Sequence, residues 1–144
     1  MLPSVLLVSE ELAFLLTAYS SLQRDPRIGR IEASAGHDEA IALMRTMRPN
    51  VVVLDVTASD PGQAMVGQFR RFDTTLIVFI TFREHDQDAI MAVASTLGAH
   101  DICPREAFTV ERVVRVTQAL TARRTATARA AAAGAAAELA AATR

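Results

Sequence analysis

Acidic, hydroxyl and basic side chains follow four apolar runs of the sequence, and together they could carry out phosphoryl transfer. Glu10 follows the first run and Asp55 follows the third, whereas Thr81 ends the fourth and Arg105 follows the fifth. A carboxylate can act as a nucleophile and form an aspartyl phosphate. Two facing carboxylates also favour Mg²⁺, which typically takes one or two carboxylates plus water. The Thr81 hydroxyl and the planar Arg105 guanidinium would then contact the phosphoryl oxygens.

Five short apolar runs are spaced fairly evenly along the chain and predict five strands. Three of them are nearly continuous in Val, Ile and Leu, which is typical of strands buried on both faces of a parallel sheet. The predicted strands are Val5–Val8, Ile28–Ala33, Val51–Val56, Leu76–Thr81 and Asp101–Pro104.

Helical patterns follow each of these runs. Leu12, Leu15, Leu16, Tyr19 and Leu22, for example, have the spacing of one helix face. Five strand–helix units predict an α/β fold, a flavodoxin-like (βα)5 doubly wound five-stranded parallel sheet of order 2-1-3-4-5 with an extended C-terminal helix. In this order strands one and three are neighbours, so that Glu10 and Asp55 should converge at the carboxyl edge of the sheet.

Four stretches carry a resemblance to a known family, and they cover roughly residues 4–120. The stretches are Val5–Glu11, Pro49–Val56, Ile77–Thr81 and Gly98–Arg105. In order and spacing the chain resembles the receiver domain of bacterial two-component response regulators, as an atypical member. The resemblance implies that Asp55 is the phosphoacceptor and that Thr81 and Arg105 contact the phosphoryl group. It also implies that Glu10, Asp55 and the backbone carbonyl of Thr57 bind Mg²⁺.

The chain departs from the pattern of that family at several positions. Ser9 replaces the first acidic residue of the pocket, and Glu10 replaces an aspartate. Arg105 stands where the family has a lysine. Phe82 replaces a small residue and is expected to crowd access to Asp55. Efficient phosphorylation and the usual switch are therefore open questions.

The resemblance implies a stand-alone receiver protein of a two-component phosphorelay, without enzymatic activity. A histidine kinase or phosphotransfer protein would donate the phosphoryl group to Asp55 with Mg²⁺ bound, and the signal would pass to a downstream protein target. The alternative is a pseudo-receiver that acts as an interaction module without phosphorylation. A third interpretation, a small flavodoxin-like enzyme or cofactor binder, has no flavin, nucleotide or cobalamin motif to support it.

Each candidate residue also has a purely structural interpretation. Asp55 is a residue type favoured in loops, and Glu10 could cap a helix because acidic groups favour helix N-termini. Thr81 could simply end its strand. Ser9 fits a helix cap better than a catalytic role.

The composition is that of a globular protein, and we expect it in the cytoplasm. A net charge of −1 favours neither membranes nor nucleic acid. No leader opens the chain and no apolar run approaches the ~18 residues of a membrane span. The single cysteine, Cys103, excludes an internal disulfide and fits a small buried apolar residue.

The last part of the chain differs in composition from the rest. We predict a receiver-like domain at residues 1–121 and an Ala/Arg-rich helical extension at 122–144, where 13 of 23 residues are alanine. Residues 105–144 hold 7 Arg against 3 Glu, whereas residues 1–104 hold 8 Arg against 13 acidic residues. The extension is either a solvated helix or a helix for self-association or partner binding, and self-association would make the protein a homodimer.

Overall fold

A computed structural model describes residues 2–143, and its centre is a five-stranded parallel sheet. The strands are β1 Val5–Val8, β2 Ile31–Ser34, β3 Val51–Val56, β4 Ile77–Phe82 and β5 Asp101–Pro104. Their order is β2-β1-β3-β4-β5, and every neighbouring pair is parallel. The predicted flavodoxin-like topology is therefore confirmed.

Five α-helices alternate with these strands. They are α1 Leu12–Gln23, α2 His37–Met47, α3 Gln63–Phe72, α4 Gln87–Leu97 and α5 Val110–Ala142. Short 3₁₀ turns at Glu84–Asp86 and Arg105–Ala107 lead from β4 and β5 towards the next helices.

The second strand begins later than the sequence predicts. The predicted run starts at Ile28, but the chain still turns there, with the Ile28 amide donating to the Asp25 carbonyl at 3.1 Å. Ladder pairing with β1 starts only at Ile31, opposite Val5. Ile28 is nevertheless buried in the core, which explains why its apolar character resembled that of a strand residue.

Alternate residues of each strand pack into two apolar layers, one on each face of the sheet. Leu6, Val52, Leu54, Val78 and Ile80 belong to the layer beneath α2, α3 and α4. The layer beneath α1 and α5 contains their strand neighbours Val5, Leu7, Val51, Val53 and Phe79. Because both faces are covered, the polar groups of the strand ends can lie only at the edge of the sheet.

Gly62 precedes α3 in a left-handed conformation, with φ at 84°. Gly62 is the N-cap residue of α3, although the preceding Asp60-Pro61 pair has the residue types of an N-cap followed by a first-turn proline. Asp60 Oδ1 accepts instead from the Gly62 amide, at 3.2 Å. A Cβ on Gly62 would meet side-chain carbons of Leu54 and Val56 at 2.8 and 2.9 Å. Only glycine suits both this backbone angle and this close approach.

Gly62→Ala should therefore destabilise the protein by about 1–3 kcal/mol, since it adds backbone strain and a clash with β3. Gly67→Ala is a matched control, because Gly67 lies within α3 and a Cβ there meets nothing within 4 Å. The control should stabilise the protein by up to about 1 kcal/mol through helix propensity. Urea denaturation of both variants measures the difference, and equal effects would contradict the close packing of Gly62.

His100 fixes the start of β5 through two contacts with Val78 of β4. The His100 amide donates to the Val78 carbonyl at 2.8 Å, and its ring Nδ1 accepts from the Val78 amide at 3.0 Å. Burial lowers the pKa of His100, and the nearby Arg70 and Arg124 lower it further. Only a neutral ring can accept the Val78 N–H.

Stability should consequently fall as the pH decreases below about 6.5. The folded protein then binds fewer protons at His100 than the unfolded chain does, so the contribution of His100 is present above that pH and lost below it. The loss is at most about 1.4 kcal/mol per pH unit. Denaturation at several pH values should show a shallower slope for His100→Gln than for the wild type. Equal slopes in the two proteins would contradict this role.

Helix α5 continues far beyond the sheet as one element of 33 residues. Residues 121–143 are exposed throughout, and Gly134 does not interrupt the helix. The predicted long C-terminal helix is confirmed, whereas the domain boundary after residue 121 stays a prediction. None of the helices in the described range 2–143 is long and apolar enough to cross a membrane.

Candidate functional site

Asp55 lies at the carboxyl end of β3 and accepts hydrogen bonds from both neighbouring strand ends. Thr81, its register partner on β4, donates its hydroxyl to Asp55 Oδ1 at 2.8 Å. Ser9, directly after β1, donates its hydroxyl to Oδ2 at 2.8 Å. The parallel topology thus brings together three residues that are far apart in sequence.

Arg105 binds both oxygens of the same carboxylate. Its Nε lies 2.8 Å from Asp55 Oδ1 and 3.0 Å from Oδ2, and a terminal nitrogen lies 2.6 Å from Oδ2. Only 3% of the Asp55 side chain and 14% of the Arg105 side chain are exposed. The hydrogen bonds to Asp55 raise the pKa of Arg105. The Arg105 guanidinium therefore neutralises the negative charge of Asp55 in a largely buried, bidentate ion pair.

An aromatic ring supports the other side of Arg105. Its guanidinium carbon lies 5.9 Å from the centre of the Phe14 ring, within the range of a cation–π contact. Phe14 in turn meets Phe108 edge-to-face, with ring centres 5.8 Å apart. Phe14 belongs to α1 and Phe108 directly follows the 3₁₀ turn that contains Arg105. These contacts support the guanidinium in its position beside Asp55.

Ser9 combines a structural role with its contact to Asp55. Its Oγ accepts from the Glu11 amide at 3.0 Å, which fixes the turn into α1. The sequence favoured a helix cap at this position, but that prediction is wrong, because Glu11 is the N-cap residue of α1 and no side chain caps this helix. The same hydroxyl donates to Asp55, so Ser9 stabilises the carboxylate that an acidic residue at this position would repel.

Glu10 and Thr57 line a cavity of about 300 Å³ together with Asp55 and Arg105. Both residues are exposed at its rim. The residues that the sequence singled out line this cavity, apart from the fully buried Thr81. Ser9, Thr81 and Arg105 contact the Asp55 carboxylate. Their roles in phosphorylation stay predictions.

The oxygen atoms around Asp55 are not arranged to coordinate a divalent cation. Both oxygens of Asp55 already accept from Arg105, and the hydroxyls of Ser9 and Thr81 point their protons at them. The carbonyl of Thr57 accepts from the Asp60 amide at 3.2 Å. Within the described residues no three His, Cys, Asp or Glu side chains are grouped so that they could hold a metal ion. A cation at Asp55 would have to displace the guanidinium.

The expectation that Phe82 crowds Asp55 is wrong. Phe82 is 1% exposed and packs in the core layer beneath α2, α3 and α4, with Val56 and Val66. Phe14, which does reach the site, was not recognised from the sequence. It stands outside the predicted apolar face of α1, and no motif marks it.

Comparisons with known proteins agree with this fold. No protein-family model matches the chain. The transcriptional regulatory protein AfsQ1 of Streptomyces coelicolor is 31% identical over 101 residues, which are 69% of this chain. The match covers 43% of AfsQ1, so the chain spans less than half of that relative's length.

Solved structures of receiver domains superpose on most of the chain. A CheY-like response regulator receiver domain protein from Methanospirillum hungatei gives a TM-score of 0.69 at 13% identity, over 87% of this chain and 98% of that one. A response regulator from Thermotoga maritima gives 0.67 at 21% identity, over 81% and 98%. The chain thus has the fold of these receiver domains, and its match to AfsQ1 supports a receiver domain of the response-regulator type.

Proposed function

We propose that the protein acts in two-component signalling by accepting a phosphoryl group on Asp55. The observation that carries the proposal is the position of this carboxylate, at the carboxyl end of β3 and in contact with both Thr81 and Arg105. Phosphoryl transfer requires a nucleophilic oxygen together with groups that neutralise charge, and here a hydroxyl donor and a guanidinium each lie within 3 Å of the carboxylate.

The proposed step is a displacement at phosphorus. An Asp55 oxygen forms the new P–O bond, and the bond to the donor's leaving group breaks and takes its electron pair with it. The Arg105 guanidinium would move from the carboxylate onto the phosphoryl oxygens, and Thr81 would donate its hydroxyl to the same oxygens. The product is a mixed anhydride whose negative charge is partly neutralised by Arg105.

The partners follow from this role. The donor would be a histidine kinase or a phosphotransfer protein, and a downstream protein target would read the modified state. The domain would act as a stand-alone signalling acceptor in the cytoplasm rather than as an enzyme with a substrate of its own. Self-association through the exposed part of α5 is part of the same hypothesis.

The buried ion pair favours a second candidate function, that of a pseudo-receiver. Arg105 covers the Asp55 carboxylate, so that the nucleophilic oxygens are already engaged. A domain with this pair permanently closed would signal through its surface alone, without phosphorylation.

Incubation with acetyl phosphate and Mg²⁺, followed by intact-mass measurement, distinguishes the two functions. The first predicts the mass of one added phosphoryl group in the wild type and none in Asp55→Asn. Asp60→Asn is a matched control, since Asp60 is an exposed carboxylate that lines the same cavity. Its adduct should equal that of the wild type. No adduct in the wild type would favour the pseudo-receiver.

A further inference from the structure

We infer that the Arg105 guanidinium takes the place of a divalent cation at Asp55. Asp55 chemistry should then proceed without Mg²⁺, a consequence that rests on the proposed function. The replacement of the cation itself is a property of the folded site, and it can be tested separately.

The first argument is the occupancy of the Asp55 oxygens. A metal ion binds through carboxylate lone pairs, and Arg105 donates to both oxygens at 2.6–3.0 Å. Thr81 and Ser9 direct two further protons at the same atoms. The carboxylate is thus surrounded by donors, and a cation could approach only after the guanidinium had left.

The second argument is the charge around the site. Ser9 supplies a neutral hydroxyl next to Asp55, and Glu10 is exposed at the rim of the cavity. One buried carboxylate is balanced by one buried guanidinium, so the site needs no further positive charge. Mg²⁺ also dehydrates reluctantly, which disfavours it against a cation that is already in place.

The third argument is that an aromatic contact on the side away from Asp55 limits the movement of Arg105. Phe14 lies under the guanidinium and packs against Phe108, so α1 and the segment before α5 both restrict its movement. A freely moving side chain would leave the carboxylate accessible to metal for much of the time. The packing of Phe14 against Phe108 therefore favours the position in which Arg105 is paired with Asp55.

The guanidinium also keeps donors for an incoming phosphoryl group. Two of its five N–H groups contact Asp55, and the other three are not used there. Arg105 can therefore pair with the carboxylate and with phosphoryl oxygens in turn, and it supplies the charge neutralisation that a metal ion would otherwise provide.

The first test is thermal unfolding in millimolar MgCl₂ against NaCl of equal ionic strength. The wild-type Tm should differ by less than about 1 °C, because a ligand that does not bind the folded state does not stabilise it. Arg105→Gln and the milder Arg105→Lys should gain a Tm rise that depends on Mg²⁺ concentration. Arg83→Gln removes an exposed arginine at the same rim and should behave as the wild type. A concentration-dependent rise in the wild type would overturn the inference.

The second test repeats the acetyl phosphate reaction with EDTA in place of Mg²⁺. The wild-type adduct should agree within about twofold in the two conditions, whereas a metal-dependent site would lose at least about tenfold in EDTA. Such a loss would overturn the inference even if the proposed function holds. The absence of an adduct in both conditions would count against the proposed function alone, and the thermal measurement would still decide whether Arg105 replaces the cation.

Discussion

Replacing Arg105 by glutamine should lower the free energy of unfolding by about 3–5 kcal/mol, the usual cost of removing one partner of a buried ion pair. Only 3% of the Asp55 side chain is exposed, and without Arg105 its charge would keep only the hydroxyls of Ser9 and Thr81 as partners. Neither hydroxyl carries a charge. The loss arises mainly from this uncompensated carboxylate rather than from the contacts of Arg105 itself.

Urea denaturation measures this loss, and two further variants identify its origin. Arg83→Gln removes the same charge from an exposed position on the same rim, so its effect should stay within about 0.5 kcal/mol. In the double variant Asp55→Asn/Arg105→Gln a neutral amide replaces the carboxylate, and part of the lost stability should return. If the double variant were less stable than Arg105→Gln by the full cost of Asp55→Asn, the two residues would not be coupled.

The sequence was sufficient to predict the sheet and the residues that meet at the carboxyl ends of its strands. The runs before Glu10 and Asp55 are rich in Val and Leu because these strands are covered on both faces. Once the order 2-1-3-4-5 is assumed, parallel strands bring their carboxyl ends to one edge. The topology alone therefore predicts that Asp55, Thr81 and Arg105 lie close together, and side-chain rotamers are not needed for that prediction.

The contacts within the site could not be predicted in the same way. The spacing of Leu12, Leu15 and Leu16 predicted one apolar face for α1, yet Leu12 and Leu16 are exposed and Phe14 turns inwards. Several rotations of that helix bury a similar apolar area, and packing against Phe108 selects one of them. The fork between Arg105 and Asp55 likewise depends on side-chain conformations that spacing does not determine.

The position of Phe82 follows from the elementary geometry of a β-strand. Neighbouring residues of a strand point to opposite faces of the sheet. Because Thr81 faces Asp55, Phe82 must face the other layer, where the structure indeed places it with Val56 and Val66. The expectation that it shields the phosphoacceptor conflicted with the role assigned to Thr81.

Phe82→Ala should therefore cost about 3–5 kcal/mol of stability, as expected for a large cavity in a packed core. Phe82→Leu should cost less, because most of the volume is kept. Phe72→Ala is a matched control, since Phe72 ends α3 at 43% exposure and contacts the guanidinium of Arg45. Its loss should not exceed about 1 kcal/mol.

The access of reagents to Asp55 should not change in the Phe82 variants. If acetyl phosphate modifies Asp55, the folded fractions of Phe82→Ala and of the wild type should form the adduct at the same rate, because the residue removed lies on the opposite face of the sheet. Faster modification without a loss of stability would mean that Phe82 covers the carboxylate. The predicted combination, a large loss of stability at an unchanged rate, would leave Arg105 as the group that governs access to Asp55.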